Sequence, residues 1–86
     1  MKEAVITIND TDGLHIRPAS ELVKVTSKFR SRITVERDGI EVDGKSILGV
    51  LMLAAGVSPE IHVRVQGEDE DEAVEALRRF LEEKFG

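Results

Sequence analysis

Four short stretches of this chain alternate apolar and polar residues with a period of two, and three others repeat apolar residues every three or four positions. The two kinds of segment interleave, which limits the fold more than any other property of the sequence. Ala4, Ile6 and Ile8 set against Val5 and Thr7 read as a first strand over Ala4 to Asn9, ended by the turn-rich run Asn9-Asp10-Thr11-Asp12-Gly13. From Ile16 to about Phe29 the spacing of Ala19, Leu22, Val23 and Thr26 becomes helical, with Pro18 in the first turn, where a missing amide costs nothing. Ile33 and Val35, then Ile40 and Val42, flank Asp38-Gly39, the strongest short hairpin signal in the chain. Ile47 to Ala55 reads as a short helix capped by Ser46 and closed by Gly56. Its apolarity on nearly every side leaves some residues without a place in a core. Ile61, Val63 and Val65 make a fourth strand. Asp69, Glu70, Asp71 and Glu72 open a last helix, whose buried stripe is Ala73, Val74, Leu77, Phe80 and Leu81 and whose last turn carries Lys84.

The order is βαββαβα. Connections this short predict an antiparallel four-stranded sheet with three helices over one face, an open-faced α+β sandwich. Periodicity leaves the strand order in the sheet open. A chain of 86 residues buries too little surface to divide between two cores, so residues 1–86 are expected to form one domain. Without cysteine there are no disulfides, thiolate metal sites or thiol catalysis. The N-terminus lacks the apolar core of a secretion signal and no stretch reaches bilayer length, so the expected location is cytoplasmic. A net charge of −5 argues against general affinity for nucleic acid. The charges are uneven: acidic residues crowd Glu68 to Glu75, while Arg17, Lys24, Lys28, Arg30 and Arg32 give the segment after His15 a basic bias that suits an acidic protein partner.

Chemistry concentrates in Gly13-Leu14-His15-Ile16-Arg17-Pro18-Ala19, which places an imidazole at the mouth of a helix. A helix N-terminus binds anions, because its first amides lack partners and its dipole end is positive. Pro18 has no amide, so those of Ile16 and Arg17 remain to cradle an anion beside His15. The same field should lower the imidazole's pKa and keep it neutral and nucleophilic near pH 7. Arg17 adds a guanidinium for phosphoryl oxygens, and Gly13 lets the preceding turn bend tightly. An isolated histidine would read as a plain surface residue; the combination of glycine turn, histidine, arginine and proline favours function.

Gly13 to Ser20, with Lys45-Ser46-Ile47-Leu48-Gly49-Val50-Leu51, closely resembles the HPr family, histidine-containing phosphocarriers of the bacterial phosphoenolpyruvate-dependent sugar phosphotransferase system. The resemblance runs essentially the full length. It implies a carrier rather than a stand-alone enzyme, with His15 phosphorylated at Nδ1 by Enzyme I and the group passed to IIA domains of sugar permeases. It also implies that Arg17 stabilises the phosphoryl group. Ile16 stands where the family often has a smaller residue, and Leu48 and Leu51 where methionines are common in the subset with regulatory serines.

Ser46 is the second candidate. Added phosphate at a helix N-terminus meets the positive dipole end, and the resemblance implies a regulatory kinase site there, with a serine kinase/phosphorylase and a catabolite repressor as further partners. The plain alternative is an N-cap worth about 1 kcal/mol. For partner docking, Ile47, Leu48 and Leu51 are expected to form an apolar patch with Ile16 and Ser20, rimmed by Arg17, Lys24 and Lys45. Gly49 within a helix hints at a close approach by a partner or a neighbouring element. His62, on a polar strand face without a companion histidine, reads as an exposed residue rather than a metal ligand. No metal or cofactor and no membrane partner is expected, and the protein should be monomeric. Two rival readings are a regulatory module acting mainly through phospho-Ser46 as a transcriptional co-repressor, and a small-ligand or RNA-binding α+β domain. The second is disfavoured by the acidic balance and by the absence of tyrosine and tryptophan.

Overall fold

A computed structural model describes residues 1–8, 16–53, 56 and 58–85, with backbone only for Ile16, Arg17, Pro18 and Phe85. The elements are β1 (Lys2–Thr7), α1 (Ile16–Thr26), β2 (Arg32–Arg37), β3 (Ile40–Asp43), α2 (Ile47–Leu53), β4 (Glu60–Gln66) and α3 (Glu70–Phe85). This is the βαββαβα order expected. All pairings are antiparallel and the strand order is β1-β4-β2-β3, so β4, whose Ile61, Val63 and Val65 are all fully buried, lies inside the sheet between β1 and β2. Helix α3 packs on β1 and β4, α2 on β3 and β2, and α1 against both other helices, which gives the open-faced α+β sandwich.

Strand parity decides what is buried. Ile6 opposes Ile61, and Val35 and Ala4 flank Val63, all toward the helices. These residues, with Ile33, Val65, Leu22, Val50, Leu53, Leu77 and Leu81, belong to one continuous core. The opposite face is polar: Glu3, Arg64, Thr34 and Asp43 line up across the four strands, and Val5, His62, Glu36 and Glu41 form the next row. Arg64 reaches across to pair with Glu41. His62 is exposed. Among the described residues no helix is long and apolar enough to cross a membrane.

Boundaries differ from expectation at several ends, and Ala54 and Ala55, expected in α2, lie outside the described residues. Strand β1 runs Lys2–Thr7, starting before Ala4 and ending before Ile8, because its partner β4 offers ladder positions only from Glu60 to Val65; Asn9 lies outside the described residues. Ile8 is still buried, and its amide donates to the Pro59 carbonyl at 2.7 Å. Helix α1 stops at Thr26, since the Lys28 and Phe29 amides turn back to the carbonyls of Val25 and Thr26 in a tightened last turn. Helix α3 runs from Glu70 with Asp69 as its N-cap, the Asp69 carbonyl accepting from the Ala73 amide at 2.9 Å. Asp38 and Gly39 both have positive φ, 56° and 81°, the type I′ geometry that matches strand twist.

Candidate functional site

Helix α1 opens at Ile16 with no acidic residue in its first turn, so no side-chain carboxylate of that turn opposes its positive end. His15, Gly13 and Leu14 lie outside the described residues, and so do the side chains of Ile16 and Arg17. The backbone places Ile16 and Arg17 as the first two helical residues, whose amides have no acceptor within the helix.

Helix α2 spans only two turns and turns Val50 and Leu53 inward. Ile47, Leu48 and Met52 are exposed, at 42, 76 and 59%. Leu51 instead packs partly buried against the core. Of the other expected docking residues, Ser20 is half-buried and Lys24 exposed. Lys45 is half-buried, and its Nζ donates to the Phe29 carbonyl at 2.7 Å, so its charge is engaged at the end of α1. The close approach at Gly49 is internal: a Cβ there would lie 3.1 Å from Val42 Cβ and 3.3 Å from the Asp43 carbonyl oxygen. Met52 was missed because the apolar run Ile47 to Ala55 hides which side faces out. Its spacing of four from Leu48 was the available signal.

Ser46 caps α2, its Oγ accepting from the Gly49 amide at 3.1 Å, while its carbonyl accepts from Val50 at 2.9 Å. The turn before it is tied to α1. The buried Thr26 hydroxyl donates to the Gly44 carbonyl at 2.8 Å, so the start of α2 and the end of α1 are held together.

The other end of α2 is fixed by a residue that sequence reasoning did not single out. Arg37 is 6% exposed and continues the inward parity of Ile33 and Val35. Its Nε donates to the Ser58 carbonyl at 2.8 Å and its Nη1 to the Leu53 carbonyl at 3.2 Å. A cation at an inward strand position just before a tight turn was the legible sign.

Asp69 takes a role beyond the expected helix opening. Its carboxylate accepts from the Ser31 hydroxyl, the Arg30 amide at 2.8 Å and the Ser31 amide at 3.0 Å, joining the α1–β2 turn to the start of α3. The Ser31 hydroxyl foremost, then the Arg30 amide, lower its pKa to about 2. Glu70 is lowered by the N-terminal ammonium, whose nitrogen lies 2.9 Å from Oε2, and by the Gly67 amide.

Fold and sequence together define a small open-faced α+β sandwich of the phosphocarrier kind. The chain matches the family described as PTS HPr component phosphorylation site over residues 2–83. It is 44% identical over 85 residues to the phosphocarrier protein HPr of Xylella fastidiosa, covering 99% of this chain and 96% of that protein. It is 39% identical to the HPr-like protein Crh of Halalkalibacterium halodurans, over 98% of this chain and 100% of that protein. The crystal structure of HPr-C-His from Thermoanaerobacter tengcongensis superposes with a TM-score of 0.88 at 43% identity, covering 100% of this chain and 97% of the other. A structure of an HPr dimer from the same organism superposes at 0.74, covering 100% and 99%. The chain belongs to the PTS HPr family, the phosphocarriers of the phosphotransferase system.

Proposed function

We propose that this protein accepts a phosphoryl group from phospho-Enzyme I on His15 Nδ1 and passes it to IIA domains of sugar permeases. The Nδ1 lone pair forms the new bond to phosphorus as the bond to the donor breaks, and the acceptor reverses the exchange. The amides of Ile16 and Arg17 and the Arg17 guanidinium hold the oxygens during both steps. The observation that supports this reading is the opening of α1 at Ile16, immediately after His15, with a first turn free of carboxylates.

Exposed Ile47 and Leu48 on α2, with Lys24 exposed on α1, supply an apolar and basic surface for acidic partner domains. In this reading Ile16, Ser20, Lys45, Gly49 and Leu51 complete the docking region. Ser46 serves as a regulatory phosphorylation site for a serine kinase/phosphorylase, linking the carrier to a catabolite repressor. The working form is a cytoplasmic monomer of one domain, residues 1–86, without metal, cofactor, membrane or nucleic-acid partner. Its acidic net charge of −5 supports the exclusion of nucleic acid. The dimeric relative makes sedimentation equilibrium the check on monomer state.

Incubation with Enzyme I and phosphoenolpyruvate is the decisive test. An acid-labile phosphoryl group that disappears in His15→Ala supports carriage. A second reading, favoured by the Crh relative, makes the protein a regulatory module acting mainly through phospho-Ser46. Acid-stable labelling at Ser46 alone, by an ATP-dependent kinase, would establish it instead.

A further inference from the structure

We infer that Arg37 is a positioning residue for phosphoryl transfer, fixing the outward face of α2 from its C-terminal end; this rests on the carrier reading above. A helix of two turns is not stable by itself in water, so α2 keeps its orientation only through contacts at its inner face and its ends. The inner face supplies two fully buried side chains, Val50 and Leu53. The N-terminal end has the Ser46 cap, the Thr26 tie to α1 and the Lys45 tie to the turn that follows α1.

At the C-terminal end the last carbonyls of a helix lack intrahelical donors. The Leu53 carbonyl receives the Gly56 amide at 3.0 Å and Arg37 Nη1 at 3.2 Å. Through Nε the same guanidinium holds the Ser58 carbonyl at 2.8 Å, two residues before β4. The neighbouring Asp38 Oδ2 accepts the Ser58 amide at 3.4 Å. The β2–β3 turn therefore clamps both sides of the connection that leaves α2. A Cβ on Gly56 would lie 2.7 Å from Arg37 Cδ and 2.8 Å from Asp38 Oδ2, so the connection is pressed against the clamp.

The position follows Ile33 and Val35 in strand parity, where an apolar residue would serve packing with no charge to bury. The arginine is explained by its two acceptors. Its rigid fork reaches two carbonyls at once and sets a positive charge at the negative end of the helix dipole. A lysine keeps the charge and loses the fork. What this holds in place is a helix whose outward side shows Leu48 and Met52, four residues apart.

The test compares wild type, Arg37→Lys and Arg37→Met as substrates of Enzyme I and phosphoenolpyruvate, at a temperature where circular dichroism shows each variant folded. Amide hydrogen exchange is measured in parallel. Arg37→Met is expected to raise KM for the carrier roughly two- to thirty-fold with kcat unchanged, the span that packed networks transmit between neighbouring elements. Arg37→Lys should fall between it and wild type. Exchange at Leu51 to Leu53 should quicken while Ile61 to Val65 stay protected. A folded Arg37→Met with wild-type KM, or with unchanged exchange in α2, overturns the inference. Such a variant with only a lower unfolding midpoint shows a merely structural residue. Where Arg37→Met does not fold, Arg37→Lys decides by the same two measurements. Wild type that takes no label from Enzyme I sinks the carrier reading, and the exchange arm then judges the positioning role separately.

Discussion

A methyl group added at Gly67 should cost this protein more than one added at Gly39, and the geometry of the two turns shows why. Gly67 has φ +151°, and a Cβ built there would lie 2.7 Å from Ser31 Cα and 2.6 Å from Ser31 Oγ. The first neighbour is backbone and cannot rotate away. Gly39 also has positive φ, +81°, but a Cβ there meets nothing within 4 Å. Gly39→Ala therefore carries conformational strain alone, about 1–2 kcal/mol. Gly67→Ala carries strain of about 1–3 kcal/mol and a clash of about 1–3 kcal/mol. The clash also displaces Ser31, whose hydroxyl and amide hold Asp69, so the turn after α1 and the start of α3 loosen together. A domain of this size has a total stability on the order of 5–10 kcal/mol, and its urea m-value should be about 1 kcal/mol/M. The urea midpoint should then fall by about 1–2 M for Gly39→Ala and by roughly 2 M or more for Gly67→Ala, with m unchanged. Equal midpoints for the two variants would refute the steric half of the reasoning.

Thr26→Val strands the buried Gly44 carbonyl and should lower stability by about 1–3 kcal/mol, read by chemical denaturation, while Thr26→Ser stays closer to wild type. Asp69 titrates from an ordinary 3.8 to about 2 on folding, so its contribution is full above about 3.8 and is lost as pH falls toward 2. Asp69→Asn should flatten that part of the stability–pH curve, as followed by thermal melts between pH 2 and 5. Leu77→Ala, at a position with no exposed surface, should cost about 2–5 kcal/mol. Leu48→Ser should change stability by less than about 0.5 kcal/mol, because the side chain is 76% exposed, and should weaken docking to Enzyme I in a KM measurement. Arg17→Ala should slow phosphoryl transfer about 10²-fold in a rapid-quench assay without moving the melting temperature.

Segments whose structure follows from local period were legible in the sequence, and what joins those segments was not. The inward runs Ile33-Val35 and Ile61-Val63-Val65, the Asp38-Gly39 turn and the Ser46 cap are each decided within a few residues, and each lies where its local chemistry put it. The expectation that β1 runs through Ile8 failed because a strand is as long as its partner, and β4 lies more than fifty positions away. Asp69 opens α3 as its neighbours suggest, its carbonyl accepting the Ala73 amide, yet its carboxylate accepts from Arg30 and Ser31, three strands and a helix earlier.

The residues that fix α2 share this property. Thr26 meets Gly44, Lys45 meets Phe29, and Arg37 meets Leu53 and Ser58, each across sixteen positions or more. The short helix cannot hold its direction by its own hydrogen bonds, so its sequence carries the surface, Ile47, Leu48 and Met52, and distant side chains carry the aim. On the proposed function, a carrier that meets several partners with one surface gains from this division. Substitutions on the outward face alter what a partner touches at little cost to the fold, whereas loss of an anchor shifts the whole face for every partner at once. Arg37→Met should therefore weaken transfer from Enzyme I and to any acceptor domain by similar factors, and Leu48→Ser should affect them unequally. Competition between two acceptors in one labelling mixture reads the difference, and an Arg37→Met protein that discriminates between acceptors as strongly as Leu48→Ser would show that the anchor touches the partners itself.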